Sequence, residues 1–474
     1  MTFRNNKVAV LGAGTMGGGI AAHLANIGID VVLLDMVPPN LSEAEKNDPK
    51  ARNRIVNAGY ERMAKARPAN LARDDRAKFI TLGNFEDNLD KIADCDWIVE
   101  AIVEQLEPKQ QLMARVEEMR KPNSIVSSNT SGIPIHEIAE GRSADFKAHF
   151  LGTHFFNPPR YLELLEVIPT EDTKPEVVDF MVKFGRDVLG KGVVVTKDTP
   201  NFIANRFIAI AGSYAVEYAL EHGYSIEEID AITGELLGRP KTATFRLTDL
   251  VGLDVMVHVN RNLYPAIPDD DYRGSLVGDR STELYDRMLE NQWLGNKTGQ
   301  GFYKRVDVDG ERQFWVLNPE TMEYEPPTKV RFESVGAVRK IEDLGQRLRA
   351  LLQHDDRAAQ YVRDTLYYTL AYAAYITPEI AYSIVDVDHA NRWGFAHQAG
   401  PFEIWDMLDV RATAEEMEAA GLEVAEWVKE MLDSGHEGFY QNGRYYDFES
   451  KSYKPIDKDN KVVVIDDLRA AGKE

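Results

Sequence analysis

KVAVLGAGTMGGGIAAHLANIGIDVVLLD, residues 7–35, is the stretch that decides the fold. Lys7 to Leu11 is a short apolar run of the kind that makes a buried strand. It passes directly into Gly12-Ala13-Gly14-Thr15-Met16-Gly17, then a helical pattern through Ala25, a break at Gly28, and a second strand from Val31 to Leu34 that ends in Asp35. Glycines in that order permit a tight turn and close backbone approach, so a pyrophosphate can rest on the helix N-terminus. An acid ending the second strand binds a ribose 2′-hydroxyl and repels a 2′-phosphate. The pattern predicts a dinucleotide site built from Gly12, Gly14, Thr15, Met16, Gly17 and Asp35, with NAD favoured over NADP. The competing reading is a helix–strand turn in which glycine serves packing alone.

Outward from this unit the alternation continues. Trp97 to Val103 reads as a strand, Pro108 to Met119 as a helix and Ser124 to Ser128 as another strand, which extends a parallel doubly wound sheet. Ligands bind outside the carboxyl ends of such strands, and this places Glu104, Asn129 and Ser131 at the crevice. For Ser131 the alternative is an N-cap for a helix around Pro134. Between Pro38 and Phe79 the pattern is helical, polar and locally basic, with Lys50, Arg52, Arg54, Arg62, Lys65, Arg67, Arg73, Arg76 and Lys78. In an acidic chain these are candidate contacts for phosphates; a solvated face of mixed charge is the alternative.

A second informative stretch runs from Phe150 to Asp198. A strand-like run ending near His154 leads into Asn157-Pro158-Pro159, and a second apolar run comes next that contains Glu166. The turn residues bring the two runs side by side, so the imidazole and the carboxylate can meet. A carboxylate there orients the ring and stabilises its protonated form, as a general base at neutral pH requires. A core histidine with a nearby surface acid is the other reading.

Asp198-Thr199-Pro200 marks a boundary, after which Phe202, Ile203, Phe207, Ile210, Tyr214 and Tyr218 repeat at helical spacing until Gly223. The chain then reads as helical to about Gly295, strand-like with breaks over 296–330, and helical again over 336–434. The two helical parts repeat each other. Ser225-Ile226-Glu227-Glu228-Ile229-Asp230 recurs as Ser383-Ile384-Val385-Asp386-Val387-Asp388; Thr244-Phe245 through Asp249 matches Gly400-Pro401-Phe402 through Asp406; and Gly301-Phe302-Tyr303 recurs as Gly438-Phe439-Tyr440 before a hairpin-like segment.

Composition sets the limits. A chain of 474 residues with 44% hydrophobic residues holds two to four globular domains. A net charge of −22 argues against nucleic acid and anionic membranes as partners. No apolar run approaches the ~20 residues of a membrane span, and the first residues lack a secretory signal. One cysteine, Cys95, excludes an internal disulfide and a cysteine metal cluster, so no metal is expected and the expected compartment is reducing and cytoplasmic.

Taken together, these segments resemble the L-3-hydroxyacyl-CoA dehydrogenases of fatty-acid β-oxidation. The resemblance rests on the Gly12 loop, Glu100-Ala101-Ile102-Val103-Glu104, Ser128-Asn129-Thr130-Ser131, His154-Phe155-Phe156-Asn157-Pro158, Glu166, Lys197-Asp198-Thr199-Pro200, Asn205-Arg206 and Gly299-Gln300-Gly301-Phe302-Tyr303. The second helical copy makes the chain look most like the dehydrogenase part of multifunctional β-oxidation proteins, in which a hydratase shares the chain. The resemblance implies an α/β fold, a Rossmann-type doubly wound sheet followed by two repeated all-helical domains. Its expected divisions are an NAD-binding domain over 1–198 with a helical CoA-binding insertion at 38–79, a first helical domain over 199–305, a linker or hairpin over 306–335, and a second helical domain over 336–474. It implies oxidation of a 3-hydroxyacyl-CoA with NAD. His154 is then the general base, Glu166 its partner, and Ser131 and Asn205 hold the substrate oxygen and the histidine. Glu104, Lys109 and Asn129 fall at cofactor positions, Asn157 lies in a site motif, and Arg62, Lys65 and Arg67 fall in the CoA-binding insertion. Enoyl-CoA hydratase and thiolase are implied partners. Single-module relatives dimerise through their helical domains, so the second copy implies a monomeric pseudo-dimer, with a homodimer as the alternative. In the second copy the place of Asn205 falls within Tyr361-Val362-Arg363-Asp364-Thr365, so no second active site is expected. Two departures stand out: Asn201 replaces a usual Gly, and Lys241-Thr242-Ala243-Thr244 replaces a commoner Met-Gly-Pro. A dehydrogenase of a free β-hydroxy acid and a non-catalytic, crystallin-like relative are the alternative readings.

Overall fold

The structure is a computed structural model that describes residues 6–456. The outer ends of the expected first and last domains, 1–5 and 457–474, lie outside the described residues. The first half alternates strands and helices: β1 (Lys7–Leu11), α1 (Thr15–Asn26), β2 (Asp30–Asp35), α2 (Pro49–Arg52), α3 (Arg54–Lys65), β3 (Ile80–Asn84), α4 (Phe85–Asn88), β4 (Trp97–Glu100), α5 (Leu106–Met119), β5 (Ile125–Ser128), α6 (Ile135–Ile138), α7 (Ala144–Ala148), β6 (Phe150–Phe155), β7 (Leu164–Pro169), α8 (Pro175–Asp187) and β8 (Gly192–Val195). The eight strands form one sheet in the order β3-β2-β1-β4-β5-β6-β7-β8. The first six strands are parallel; β7 turns back antiparallel to β6, and β8 runs parallel to β7.

Side chains alternate across a strand, and here both faces are covered. Val8, Val10, Val31 and Leu33 enter one core with Leu24, Val177 and Met181. Ala9, Leu11, Val32 and Leu34 enter the opposite one with Met113, Val116 and Ile138. Near-continuous apolar strands are the sequence mark of such a doubly covered sheet.

Two local departures from the sequence reading have physical reasons. The expected helical stretch 38–79 contains α2, α3 and a six-residue 3₁₀ helix at Asp74–Phe79, while 37–48 is irregular. Pro38 and Pro39 lack backbone donors, and Asp48 caps α2 by accepting from the Lys50 N–H at 2.9 Å, which fixes the later start. The helix expected from Pro200 begins at Ala204, because Asn201 and Phe202 adopt left-handed backbone (φ 62° and 50°).

The second half is helical: α9 (Ala204–Glu221), α10 (Ile226–Ile232), α11 (Phe245–Val251), α12 (Leu253–Ala266) and α13 (Asp279–Glu290), then a small sheet of β9 (Tyr303–Val308), β10 (Glu311–Leu317) and β11 (Tyr324–Glu325). It repeats as α14 (Glu333–Val338), α15 (Leu344–Leu352), α16 (Arg357–Ile380), α17 (Ile384–Phe395), α18 (Pro401–Leu408), α19 (Val410–Ala419) and α20 (Glu426–Asp433), closed by β12 (Tyr440–Gln441), β13 (Arg444–Asp447) and β14 (Ser452–Pro455).

The repetition is one of hydrogen bonds as well as helices. Asp230 accepts from the backbone of Thr244, Phe245 and Arg246 and from the Tyr303 hydroxyl. Asp388 accepts from Phe402, Glu403 and the Tyr440 hydroxyl. Asp249 takes the backbone N–H groups of Phe302 and Tyr303, and Asp406 those of Phe439 and Tyr440. Each carboxylate staples the start or end of one helix to the small sheet after it. One continuous apolar core runs through both copies, from Ile203 to Phe448. Its middle is the packing of α9 against α16, where Tyr214 stacks on Tyr368 with centroids 3.5 Å apart.

Candidate active site

The glycine loop has the geometry a dinucleotide needs. Gly12 has φ +110°, and a Cβ there would lie 2.4 Å from the Ala101 carbonyl oxygen. A Cβ on Gly17 would lie 1.9 Å from the Gly12 oxygen, so glycine alone closes this turn. Gly14, by contrast, faces open space, with nothing within 4 Å of its Cβ position. It is the N-cap of α1 and offers no side chain to the first N–H groups, so the helix terminus beside exposed Thr15 and half-buried Met16 is available to an anion. At the end of β2, Asp35 accepts from the Ala13 N–H at 2.6 Å and the Met36 N–H at 2.6 Å. A cradle open on one side with a carboxylate at its edge fits a dinucleotide, and fits one without a 2′-phosphate.

The imidazole and the carboxylate meet as the turn chemistry predicts. Asn157 and Pro158 turn the chain, and His154 and Glu166 are direct partners in the β6–β7 register. His154 Nδ1 lies 2.7 Å from Glu166 Oε2, with both side chains buried. The other oxygen, Oε1, accepts from the backbone N–H groups of Ile203 (3.2 Å) and Ala204 (2.9 Å). Glu166 therefore ties the start of α9 to the sheet. An ionised Glu166 can only accept, so this contact matches the ring tautomer that carries its proton on Nδ1 and presents a lone pair at Nε2. Nε2 faces Ser131 Oγ at 3.2 Å. Phe156 and Phe202 flank the ring, with centroids 4.6 and 5.7 Å away.

Ser131 is not an N-cap. The α6 terminus is held instead by Asp198, which accepts from the N–H groups of Ile135 (2.7 Å) and His136 (2.9 Å) and meets His136 Nδ1 at 2.7 Å. The Ser131 loop is fixed from its other side by Glu104, which accepts from Thr130 Oγ1 (2.5 Å), the Ser131 N–H (2.8 Å) and the Gly132 N–H (3.1 Å). Partial burial pushes the Glu104 carboxyl up, but the Lys109 ammonium and these donors outweigh it and hold it below the usual range. Lys109 is buried, with Nζ 2.7 Å from Glu100 and 3.3 Å from Glu104. Glu100, which sequence reading gave no role, also accepts from Ser128 Oγ and the Ile102 N–H. Lys109 thus meets the crevice through Glu104.

Asn129 spends its Oδ1 on the Phe155 N–H at 2.9 Å, locking β5 to the histidine strand. Asn205 sits half-buried in the first turn of α9, and its side chain makes no hydrogen bond to the described residues. Asn157 is exposed. Among the basic residues, Arg62, Lys65 and Arg67 are exposed on and just after α3; Lys65 pairs with Glu61 at 3.1 Å, whereas Arg52 is engaged by Asp87 and Arg54 by Glu45. Asn201, at the place of the usual Gly, has a left-handed backbone that Asn tolerates better than most residues, and its buried Nδ2 has no partner. Among the described residues no group of His, Cys, Asp or Glu is arranged to hold a metal ion, and no helix is long and apolar enough to cross a membrane.

Comparison with known proteins identifies the family. The family model described as "3-hydroxyacyl-CoA dehydrogenase, NAD binding domain" matches residues 7–199, and the corresponding C-terminal domain model matches 202–305. A protein of Bacillus subtilis named "Probable 3-hydroxyacyl-CoA dehydrogenase" is 45% identical over 471 residues, 98% of this chain and 59% of its own length. A protein of Rickettsia prowazekii named "Putative fatty acid oxidation complex trifunctional enzyme" is 34% identical over 399 residues, 84% of this chain and 52% of its own. The chain thus spans little more than half the length of these relatives. The solved structure of 3-hydroxybutyryl-CoA dehydrogenase from Escherichia coli shares the fold at 22% identity and a TM-score of 0.65, covering 92% of this chain and all of that one.

Proposed function

The chain belongs to the 3-hydroxyacyl-CoA dehydrogenase family, and from that premise we propose that it oxidises an L-3-hydroxyacyl-CoA to the 3-oxoacyl-CoA in fatty-acid β-oxidation. The observation that supports this most directly is the His154 Nδ1–Glu166 contact at 2.7 Å with Nε2 turned to Ser131. Bound NAD supplies the two-electron acceptor. Gly12, Gly14 and Gly17 give it a close backbone surface, Thr15 and Met16 line the helix terminus, and Asp35 receives the adenosine ribose.

The chain's own residues handle the proton and the alignment. His154 Nε2 takes the proton of the substrate 3-hydroxyl, and Glu166 stabilises the imidazolium through Nδ1. Ser131 Oγ, beside Nε2, donates to the substrate oxygen, and the unengaged amide of Asn205 reaches toward the same oxygen. Asn129 sets the position of the histidine strand. Glu104, held by Lys109, fixes the backbone of the Ser131 loop, and Asp198 fixes the helix behind it. The buried setting of His154 and Glu166 excludes water that would compete for the proton. Asn157 borders the acyl entrance, and Arg62, Lys65 and Arg67 meet the phosphates of CoA.

The domain divisions at 198, 305 and 335 fit this reading, with the second helical copy supplying within one chain the partner surface that single-module relatives gain by dimerising. Hydratase and thiolase activities are the natural neighbours of the reaction. The test is NAD reduction by the purified chain with 3-hydroxybutyryl-CoA and with 3-hydroxybutyrate. Turnover of the thioester alone supports the proposal. Turnover of the free acid at equal kcat/KM, or of neither, refutes it.

A further inference from the structure

Among the guanidinium groups inside the helical half, Arg206 and Arg347 are fully engaged. Arg206 meets Asp270 at 2.8 Å and Tyr372 at 3.2 Å. Arg347 donates to the carbonyls of Leu236, Ile341, Glu342 and Glu235. The Arg239 guanidinium, by contrast, makes no hydrogen bond or ion pair to any described residue, and the residue's one hydrogen bond is from its backbone N–H to the Gly234 carbonyl at 3.2 Å. It lines a cavity between α9 and α16 whose walls are largely apolar, with Phe207, Ala211, Leu237, Leu366, Leu370 and Ile404. The cavity leaves about 60 Å³ for the centres of water-sized molecules, room for a handful of waters or a narrow chain.

The cavity lies where the two helical copies face each other. His397 holds in the second copy the place that Arg239 holds in the first: each comes after a corner in left-handed backbone, at Gly238 (φ 70°) and Ala396 (φ 55°), eight residues after the stapling carboxylates Asp230 and Asp388. The two corners touch, with the Gln398 N–H donating to the Gly238 carbonyl at 2.8 Å. Burial, and secondarily the charge of Arg239, push His397 down to about 3, so it is neutral. The cavity therefore holds one permanent positive charge. Its other polar groups cannot neutralise it. Thr365 and Thr369 donate to their own helix carbonyls at 2.7 Å, and Asn391, nearly fully buried, leaves its Oδ1 without a partner.

A guanidinium cannot shed its proton, and a half-buried charge that faces an apolar cavity without a counter-charge is unfavourable. The place asks for a single negative charge. A carboxylate matches the planar fork bidentately, whereas a phosphate dianion would leave charge unpaired in an apolar enclosure. We infer that this cavity is a second binding site, for the carboxylate of a short aliphatic acid, anchored by Arg239 with its chain along the apolar walls of α9 and α16. The acid arrives either free or as the far end of an acyl chain that carries a terminal carboxylate. The cavity and its charge stand apart from the dehydrogenase reading; only the second source depends on it.

The test is calorimetric titration of the full chain with hexanoate in a low-chloride buffer. One saturable site is expected. Arg239→Gln should weaken it at least about tenfold, the scale of a charge-assisted pair. Hexan-1-ol, of equal length and no charge, should bind at least about tenfold more weakly for the same reason. His154→Gln should bind hexanoate as the natural chain does. No saturable binding, equal binding by Arg239→Gln or by the alcohol, loss in His154→Gln, or saturation of the same site by chloride alone (an adventitious ion only) would each overturn the inference. Because Arg239→Gln removes an uncompensated charge, its ligand-free Tm should equal or exceed that of the natural chain; a lower Tm would show the guanidinium already satisfied by the fold and overturn it too. To separate the sources, kcat/KM is compared for 3-hydroxyacyl-CoA esters ending in carboxylate or methyl. A preference for the carboxylate that Arg239→Gln erases assigns the site to substrate, and hexanoate binding without such a preference assigns it to free acid.

Discussion

Replacing Glu166 by Gln exchanges a carboxylate oxygen for an NH₂ at the centre of the site, and the surrounding donors dictate the outcome. Oε2 faces His154 Nδ1 at 2.7 Å, while Oε1 accepts from Ile203 and Ala204 at 3.2 and 2.9 Å. The amide of a glutamine has two ways to sit there. With its oxygen toward the imidazole, its NH₂ confronts two backbone N–H groups, and each buried donor left unsatisfied costs about 1–3 kcal/mol. With its oxygen toward α9, the NH₂ points at Nδ1, and the ring must move its proton to Nε2 to accept. The second arrangement is cheaper, so the variant folds. But Nε2 is then a donor and cannot take the substrate proton. The expected loss in kcat is about two to four powers of ten, or roughly 3–5.5 kcal/mol in the barrier. Charge-assisted bonds to Ile203 and Ala204 become neutral ones, which lowers stability by about 1–3 kcal/mol. NAD affinity is unchanged, because the Gly12 loop and Asp35 stand on other elements. His154→Gln loses at least as much activity, and the double variant little more, since the pair acts as a unit. The assay is single-turnover NADH formation with saturating 3-hydroxyacyl-CoA, beside NAD titration and thermal unfolding. A kcat near that of the natural chain in Glu166→Gln would refute the reasoning, as would NAD affinity falling in step with kcat.

Other elements allow similar tests. Gly14→Ala fits the open space at its Cβ position and should leave Tm unchanged while weakening NAD at least several-fold, whereas Gly17→Ala collides with the Gly12 oxygen and should unfold or aggregate the chain; equal behaviour of the two in thermal scans would contradict the loop's assignment. Asp35→Ser should raise the NADP/NAD ratio of kcat/KM by about two powers of ten, from the few kcal/mol by which two like charges ~4 Å apart repel near a protein surface, and an unchanged ratio would remove Asp35 from ribose recognition. His23 is pushed down to about 4, chiefly by burial and then by the charge of Lys191, and its Nε2 meets the Leu189 carbonyl at 3.0 Å. Its folded pKa lies below the unfolded 6.5, so its contribution to stability is present above pH 6.5 and is lost as pH falls toward 4, at up to about 1.4 kcal/mol per pH unit. His23→Gln should make urea-midpoint stability fall less steeply over that window, and an unaltered slope would show that His23 does not titrate in the fold. Ending the chain before Glu333 strips α16 from α9 and should give a self-associating or aggregating product, seen by light scattering; a soluble, fully active monomer would show that the second copy is dispensable.

Legibility from sequence tracks how local each determinant is. The β1–α1–β2 unit is readable because glycine spacing, apolar runs and the terminal acid all lie within residues 7–35. So is the His154–Glu166 meeting, since a proline turn and a period of two fix the register. The helical repeat shows because its stapling carboxylates, Asp230 with Asp388 and Asp249 with Asp406, carry recognisable neighbours. What escapes are pairings across elements. Glu100 and Lys109 join a strand to a helix, and Asp198 caps a helix that begins at Ile135; nothing in their own neighbourhoods says so. The late start of α9 escapes because residues 201 and 202 adopt left-handed backbone under tertiary constraint, against the preference of a phenylalanine. Arg239 reads as an ordinary surface arginine until the two copies close around it.

The second copy reaches the site's surroundings at Phe395, which packs on Phe156, and at the start of α9. Asn205 and Arg206 are neighbours in the first turn of α9, and they face different tasks. Arg206 is fully buried and grips Asp270 of the first copy while reaching Tyr372 and Glu379 of α16. Asn205 is half-buried and its side chain has no hydrogen-bond partner among the described residues. The start of α9 is thus held at three points: by Glu166 from the sheet, by Asp270 from its own copy and by α16 from the other. A helix terminus pinned on three sides keeps its first turn from fraying, where helices are otherwise loosest. That turn carries Asn205, whose amide the proposed mechanism brings to the substrate oxygen. Although the second copy contributes no residue to the pair His154 and Glu166, it completes the frame that holds the first turn of α9. On the proposed mechanism, this gives a physical reason for the second helical copy to remain fused to the first.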